Sequence, residues 1–307
     1  MPDIEKKIIK YSFHFKDVCN MCNSSKEMHK ILGKRLNKSQ GKSPKKKVGI
    51  TTTIVRCKKC NLVFSNPQPI PESIEDHYGV EPESYWKEKD YFSTDDNYFQ
   101  NEIDKLKNIF EIKSGMKALD IGAGIGKSMI TMEKAGFEAF GFEPSPEFLN
   151  MAIDKMGIKS DKLRLGQIET IQYEKDSFDF ISFGAVLEHL YDPSDSLIKA
   201  MNWLKPGGII YIEVPSSKWL TNKLFNIYFK LIGTDYVGNI SPMHEPYHLF
   251  EFDLKSFKEH AQLNNYKIAH HEYFVGETYL PRILSPFVLP YMKWTNSGMQ
   301  FCIWLTK

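Results

Sequence analysis

Two groups of residues in this 307-residue chain have the types and spacing to do chemistry. Cys19-Asn20-Met21-Cys22 and Cys57-Lys58-Lys59-Cys60 are CxxC knuckles. Folded together they bring four thiolates to the corners of a tetrahedron, the geometry of a closed structural zinc site. Neither pair opens a helix as a redox thiol pair does, so structural metal is the favoured reading. The second group lies in 118–128, where an apolar run ends at Asp120 and Gly122, Gly124 and Gly126 follow at alternate positions. Glycines let the backbone approach a ligand without a Cβ clash. The helix start behind them offers unpaired amides to a negative group. A Walker A loop needs four residues between its first glycine and Gly-Lys-Ser, whereas only Ala123, Gly124 and Ile125 separate Gly122 from Gly126. A dinucleotide fingerprint needs glycine where Lys127 stands.

Elements of alternating type must position these residues. Strand-like apolar segments recur at 137–142, at 177–183 and at 209–215, with helix-compatible stretches and glycine turns between them. That order argues for an α/β fold, a parallel sheet with helices on both faces. Ligands of such sheets sit beyond the carboxyl ends of the strands. Glu143, closing the second segment, can accept hydrogen bonds from both hydroxyls of a ribose.

Together with Asp-x-Gly-x-Gly-x-Gly at 120–126, these segments resemble the class I S-adenosylmethionine (SAM) methyltransferases. The resemblance implies a Rossmann-like seven-stranded sheet with further strands at 266–275 and, antiparallel, 299–305. It implies a SAM site built from Asp120, Gly122, Ala123, Gly124, Gly126, Glu143, Gln167 and Gly184. Asp120 would orient the methionine ammonium and Glu143 would take the ribose. Gln167 stands where the family usually has an acid for the adenine amino group. Gly184 and Ala185 would line the wall beside the methyl group.

Candidates for a general base are His189, in Glu188-His189 after the fourth strand, and His244 and His248 in 242–250 beyond the fifth. A metal pair of His244 and His248 is disfavoured by Pro246 between them. Between the knuckles, the basic stretch 34–47 reads as a flexible loop. Its cations, including Lys42, Lys45, Lys46 and Lys47, are either solvated or available to phosphates. Strand-like 51–55 and 62–64 frame the second knuckle. Pro67, Pro69 and Pro71 read as a linker. Behind them come the aromatics Tyr78, Tyr85, Trp86, Tyr91, Phe92, Tyr98 and Phe99, then the helical spacing of Ile103, Leu106, Ile109 and Phe110. The expected division is a zinc-ribbon module at 1–70, a linker and helical cap at 71–112, and the methyltransferase domain at 113–307. Apolar insertions fall near 219–245 and 276–298; a cap, a dimer contact, or a surface for an apolar or lipid-linked acceptor at a membrane face would each account for them.

The whole chain is similar to bacterial class I methyltransferases with an N-terminal zinc ribbon, through the double CxxC, Asn61-Leu62-Val63-Phe64, Asn66-Pro67 and the SAM core. Such relatives modify sugars, cell-surface glycans and secondary metabolites, so the resemblance implies a small-molecule or glycan acceptor. A nucleic-acid methyltransferase using the basic zinc module is the rival. Against it, Gly184-Ala185-Val186-Leu187 stands where base-amino methyltransferases carry Asn/Asp-Pro-Pro-Tyr/Phe. A SAM-binding protein without catalysis is the third reading. A net charge of +2 gives no general attraction to nucleic acid. With no apolar run of spanning length and no signal core, the cytoplasm is the expected compartment. Five cysteines are too few for a secreted disulfide framework, and Cys302 stands alone.

Overall fold

The computed structural model describes residues 10–36, 41–47, 49–72, 97–240, 248–276 and 282–307. Its N-terminal part carries five strands: β1 (Tyr11–His14), β2 (His29–Leu36), β3 (Thr51–Cys57), β4 (Val63–Ser65) and β5 (Gln68–Pro71). Helix α1 (Gln100–Ile109) buries Ile103 and Leu106 and leads into the large sheet, ending earlier than the apolar spacing to Phe110 suggests. That sheet is built from β6 (Lys117–Ile121), β7 (Glu138–Glu143), β8 (Leu163–Leu165), β9 (Phe178–Gly184), β10 (Leu204–Pro215), β12 (Lys267–Phe274) and β13 (Gln300–Thr306). The two-residue β11 (Phe250–Glu251) lies elsewhere.

The sheet order is β12-β13-β10-β9-β6-β7-β8. β13 runs antiparallel to both of its neighbours, and the remaining pairs are parallel. This is the seven-stranded class I methyltransferase arrangement, with its one reversed strand. Its strands read as nearly continuous apolar runs because helices cover both faces. The helices are α2 (Lys127–Lys134), α3 (Pro146–Asp154), α4 (Pro193–Trp203), α5 (Leu220–Leu231), α6 (Leu254–Asn264) and α7 (Ser285–Trp294). Ser145 and Asp192 cap α3 and α4, each with proline in the first turn.

The ribbon strands form a second sheet, β11-β4-β3-β2, whose outer strand is contributed by the C-terminal half. One apolar core runs from the knuckles Cys19, Cys22, Cys57 and Cys60 through Phe250, Phe252 and Phe257 to Ile210 and Ile212 in the main sheet. Ser256 donates its hydroxyl to the Cys60 carbonyl at 3.0 Å, and Lys59 pairs with Glu259 at 3.3 Å.

Two sequence expectations are corrected here. The described part of the basic stretch is structured: Lys34 and Arg35 belong to β2, and Pro44–Lys46 is a 3-10 turn. Arg35 is buried and its Nε donates to the Ile240 carbonyl at 3.0 Å. Lys34 pairs with Asp235 at 2.8 Å, and Lys45 donates to the Gly233 carbonyl at 3.1 Å. The segment after α5 supplies these partners, which a reading of local composition does not reach. The proline run is likewise a strand, β5, paired antiparallel with β1. Pro69 and Pro71 occupy the alternate positions whose missing N–H faces outward, while Glu72 donates to Lys10 at 2.9 Å. Tyr78, Tyr85, Trp86, Tyr91 and Phe92 lie outside the described residues.

Candidate functional site

The carboxyl ends of β6, β7, β8 and β9 meet at one edge of the sheet. β6 delivers Asp120, and the chain then turns through Gly122 and Gly126, both in the left-handed region (φ 67° and 81°). A Cβ on Gly122 would lie 2.7 Å from Val186 Cγ2, and one on Gly126 would lie 2.6 Å from Ile158 Cγ1. Angle and neighbours both demand glycine. The Gly122 and Ala123 amides donate to the Phe142 carbonyl, tying the loop to β7. Gly184, ending β9, has no atom within 4 Å of a built Cβ, so open space adjoins the loop there. Ala185 follows with φ 55°.

Two buried acids lie beneath this opening. Asp120 accepts hydrogen bonds from the hydroxyls of Ser128 and Ser182. Glu143 accepts from the amides of Gly124 at 2.8 Å and Ser145 at 2.9 Å. Burial pushes Asp120 up to about 6 and Glu143 up to about 7, against the opposing pull of those hydrogen bonds. A cationic ligand would return both to the ionised form, and each carboxylate oxygen keeps acceptor capacity. The residues present therefore fit SAM, whose sulfonium and ammonium are positive and whose ribose offers two hydroxyls. Gln167 follows β8 at the same edge, half-buried, with its backbone carbonyl accepting from the Thr170 and Ile171 amides.

A second constellation stands after β9. Glu188 is buried in a turn, and ligand atoms of Glu188, His189 and His248 lie within 4.8 Å of one another. His248 Nε2 is 3.9 Å from Glu188 Oε1, and the His189 and His248 rings meet edge to face at 4.8 Å. Burial, reinforced by Glu213, raises Glu188 to about 8, and its Oε2 has no hydrogen-bond partner among the described residues. Such a group can move a proton or hold a cation. The structure thus joins His189 and His248, while His244 lies outside the described residues.

The four knuckle cysteines are buried and also converge within 4.8 Å. Cys19 Sγ is 3.5 Å from Cys60 Sγ, and Cys22 Sγ is 3.6 Å from Cys57 Sγ. Four thiol sulfurs this close suit a tetrahedral zinc ion, with Cys19, Cys22, Cys57 and Cys60 as its ligands.

Sequence reasoning overlooked Ser182 and Ser128 as partners of Asp120. Only the pairing of β6 with β9 sets Ser182 directly beside Asp120 in register.

The sequence pattern of the family described as "Methyltransferase domain" matches residues 93–271. An uncharacterized methyltransferase of Schizosaccharomyces pombe is 31% identical over 110 residues, 32% of this chain and 40% of that protein. The ubiquinone biosynthesis O-methyltransferase of Burkholderia cenocepacia is 27% identical over 132 residues, 42% of this chain and 55% of the relative. The chain spans between about a third and about half of the length of the curated relatives it matches. Among solved structures, the PH0226 protein of Pyrococcus horikoshii superposes with a TM-score of 0.49 at 16% identity, covering 73% of this chain and 98% of that one. With more than half of its length inside the family match, the chain belongs to the class I SAM-dependent methyltransferases.

Proposed function

We propose that the protein transfers a methyl group from SAM to a small-molecule acceptor, a sugar or glycan precursor, soluble or lipid-linked. The observation that carries this is the Glu188, His189 and His248 constellation at the carboxyl edge, beside the glycine loop. SAM, when bound, supplies an electrophilic methyl carbon that an acceptor nucleophile attacks in line. Asp120 orients the cationic methionine end, Glu143 the ribose and Gln167 the adenine, while Gly184 leaves room at the wall. His248, braced by Glu188, takes the acceptor's proton, with His189 packed against it. Alignment of the two reactants supplies the rest of the acceleration.

The outer faces of the apolar helices support an apolar or lipid-linked acceptor. Ile283, Phe287, Tyr291 and Trp294 recur at helical spacing and are exposed. Nucleic acid is less well supported, because Lys34 and Lys45 of the basic stretch are engaged within the fold. The cysteine cluster is assigned a structural zinc ion. Transfer of labelled methyl from SAM to panels of sugars, polyprenyl-linked glycans and RNA tests the acceptor class. His248→Ala should abolish transfer without weakening SAM binding; labelling of RNA alone would overturn the proposal.

A further inference from the structure

A cleft of about 460 Å³ opens between the second zinc knuckle and the carboxyl edge at β10 and β12. Five cations line it: Arg56 from β3, Lys218 beyond β10, Lys223 on α5, and Lys255 and Lys258 on α6. Among the described residues none of the five forms an ion pair and Arg56 Nε is buried without a hydrogen-bond partner, while Lys218 lies over the Tyr273 ring at 5.0 Å. Asp253 is the one acid among the described lining residues, and its Oδ1 is used in capping α6 on the Lys255 amide at 2.8 Å. Glu251 lies nearby, but its carboxylate is taken by Asn222, Asn239 and the Ile240 amide. Partial desolvation, then the charges of Lys218 and Arg56, hold the Lys223 ammonium below its usual value against the opposing pull of Asp253. Five like charges gathered from four separate elements, offset in part by Asp253 and by Glu251 behind Arg56, leave an excess of positive charge suited to an anion.

We propose that this cleft binds a phosphate or diphosphate ester carried by the methyl acceptor. The inference rests on the methyl-transfer reading and adds the acceptor's charged handle. β10 and β12 are two and four strands from β6 in the sheet order. At about 4.8 Å per strand the cleft stands on the order of 10–20 Å along the edge from the glycine loop, a span that a sugar or similar group on a diphosphate can bridge. The cleft wall includes Tyr273 and Asn296, and Asn296 follows the exposed Trp294 by two residues. A soluble ester and a lipid-borne one share this phosphate chemistry.

The test measures binding of inorganic pyrophosphate to the full chain by calorimetry at low salt. Wild type should bind, and Arg56→Gln combined with Lys223→Gln should weaken binding about tenfold or more. Lys218→Gln combined with Lys255→Gln, on the cleft rim, guards against misfolding of the first variant and should weaken binding in the same direction. Lys46→Gln combined with Lys47→Gln, on the basic turn, should leave it unchanged. SAM binding measured on the same samples should be retained throughout; its absence in wild type would defeat the methyl-transfer reading instead. Nucleoside diphosphate binding without vesicle binding assigns a soluble ester, and binding to phosphatidylcholine vesicles only when they carry an isoprenoid diphosphate assigns a lipid-borne one. Equal pyrophosphate binding by wild type and both cleft variants, or none by wild type, would overturn the proposal. So would cleft-dependent binding of RNA alone.

Discussion

Asp120 and Glu143 are acids that the fold holds against their own ionisation. Their folded values, about 6 and about 7, stand above the ordinary 3.8 and 4.5. The folded state therefore binds these protons more tightly than the unfolded chain. Each group's stabilisation is present below pH about 4 and is lost as pH rises through its folded value, on the order of 3 kcal/mol each. A cationic ligand reverses that preference. SAM binding should release protons near pH 6, and its affinity should rise with pH between about 5 and 7. Calorimetry in buffers of different ionisation enthalpy reads this directly; proton-neutral binding across that range would count against both acids. Gly122→Ala forces a Cβ to 2.7 Å from Val186 at positive φ, so it should cost about 2–4 kcal/mol in chemical denaturation. These residues were legible in the chain because loop glycines and strand-end acids are defined by local spacing. Ser182 was not, since its partnership with Asp120, 62 residues away in the chain, exists only after two strands are paired.

At the scale of elements, the ribbon and the acceptor edge are one construction. β4 carries β11 as its outer neighbour, and the Ser65 amide donates to the Leu249 carbonyl at 3.0 Å. The Leu249 amide donates in turn to the Glu188 carbonyl at 2.7 Å. His248 is thus held beside Glu188 by a strand whose base is the cysteine cluster. With the proposed zinc in the knuckles, a chelator should release hydrogen-exchange protection at 249–251 and abolish the proposed methyl transfer. SAM affinity should stay within about twofold, because the glycine loop is anchored on the Phe142 carbonyl of β7. Retained protection at 249–251 after zinc loss would break the link. The main sheet was readable from its apolar runs and glycine turns. The docking of β2 on 233–240 and the strand character of Gln68–Pro71 were not, because each depends on a distant partner that supplies the missing hydrogen bonds.

Across the whole molecule, the chemistry gathers on one edge: the glycine loop, the histidine pair and the cationic cleft all stand at carboxyl ends of strands. The exposed residues of α7 and the turn before it form an apolar stripe, with Ile283, Phe287 and Trp294 each about four-fifths exposed. No described helix is long and apolar enough to cross a membrane. The stripe is suited to lie on one. Phe287→Ser combined with Trp294→Ser should reduce co-sedimentation with anionic vesicles about tenfold or more while leaving SAM binding intact; equal sedimentation would confine the stripe to another role. The proposed methyl transfer requires SAM in the loop at 120–126 against Glu143. Equilibrium titration of SAM into wild type and Glu143→Ala tests that most directly. Saturable one-to-one binding that weakens at least about tenfold in the variant is the expected result. Absence of binding by wild type, or equal binding by both proteins, would contradict it.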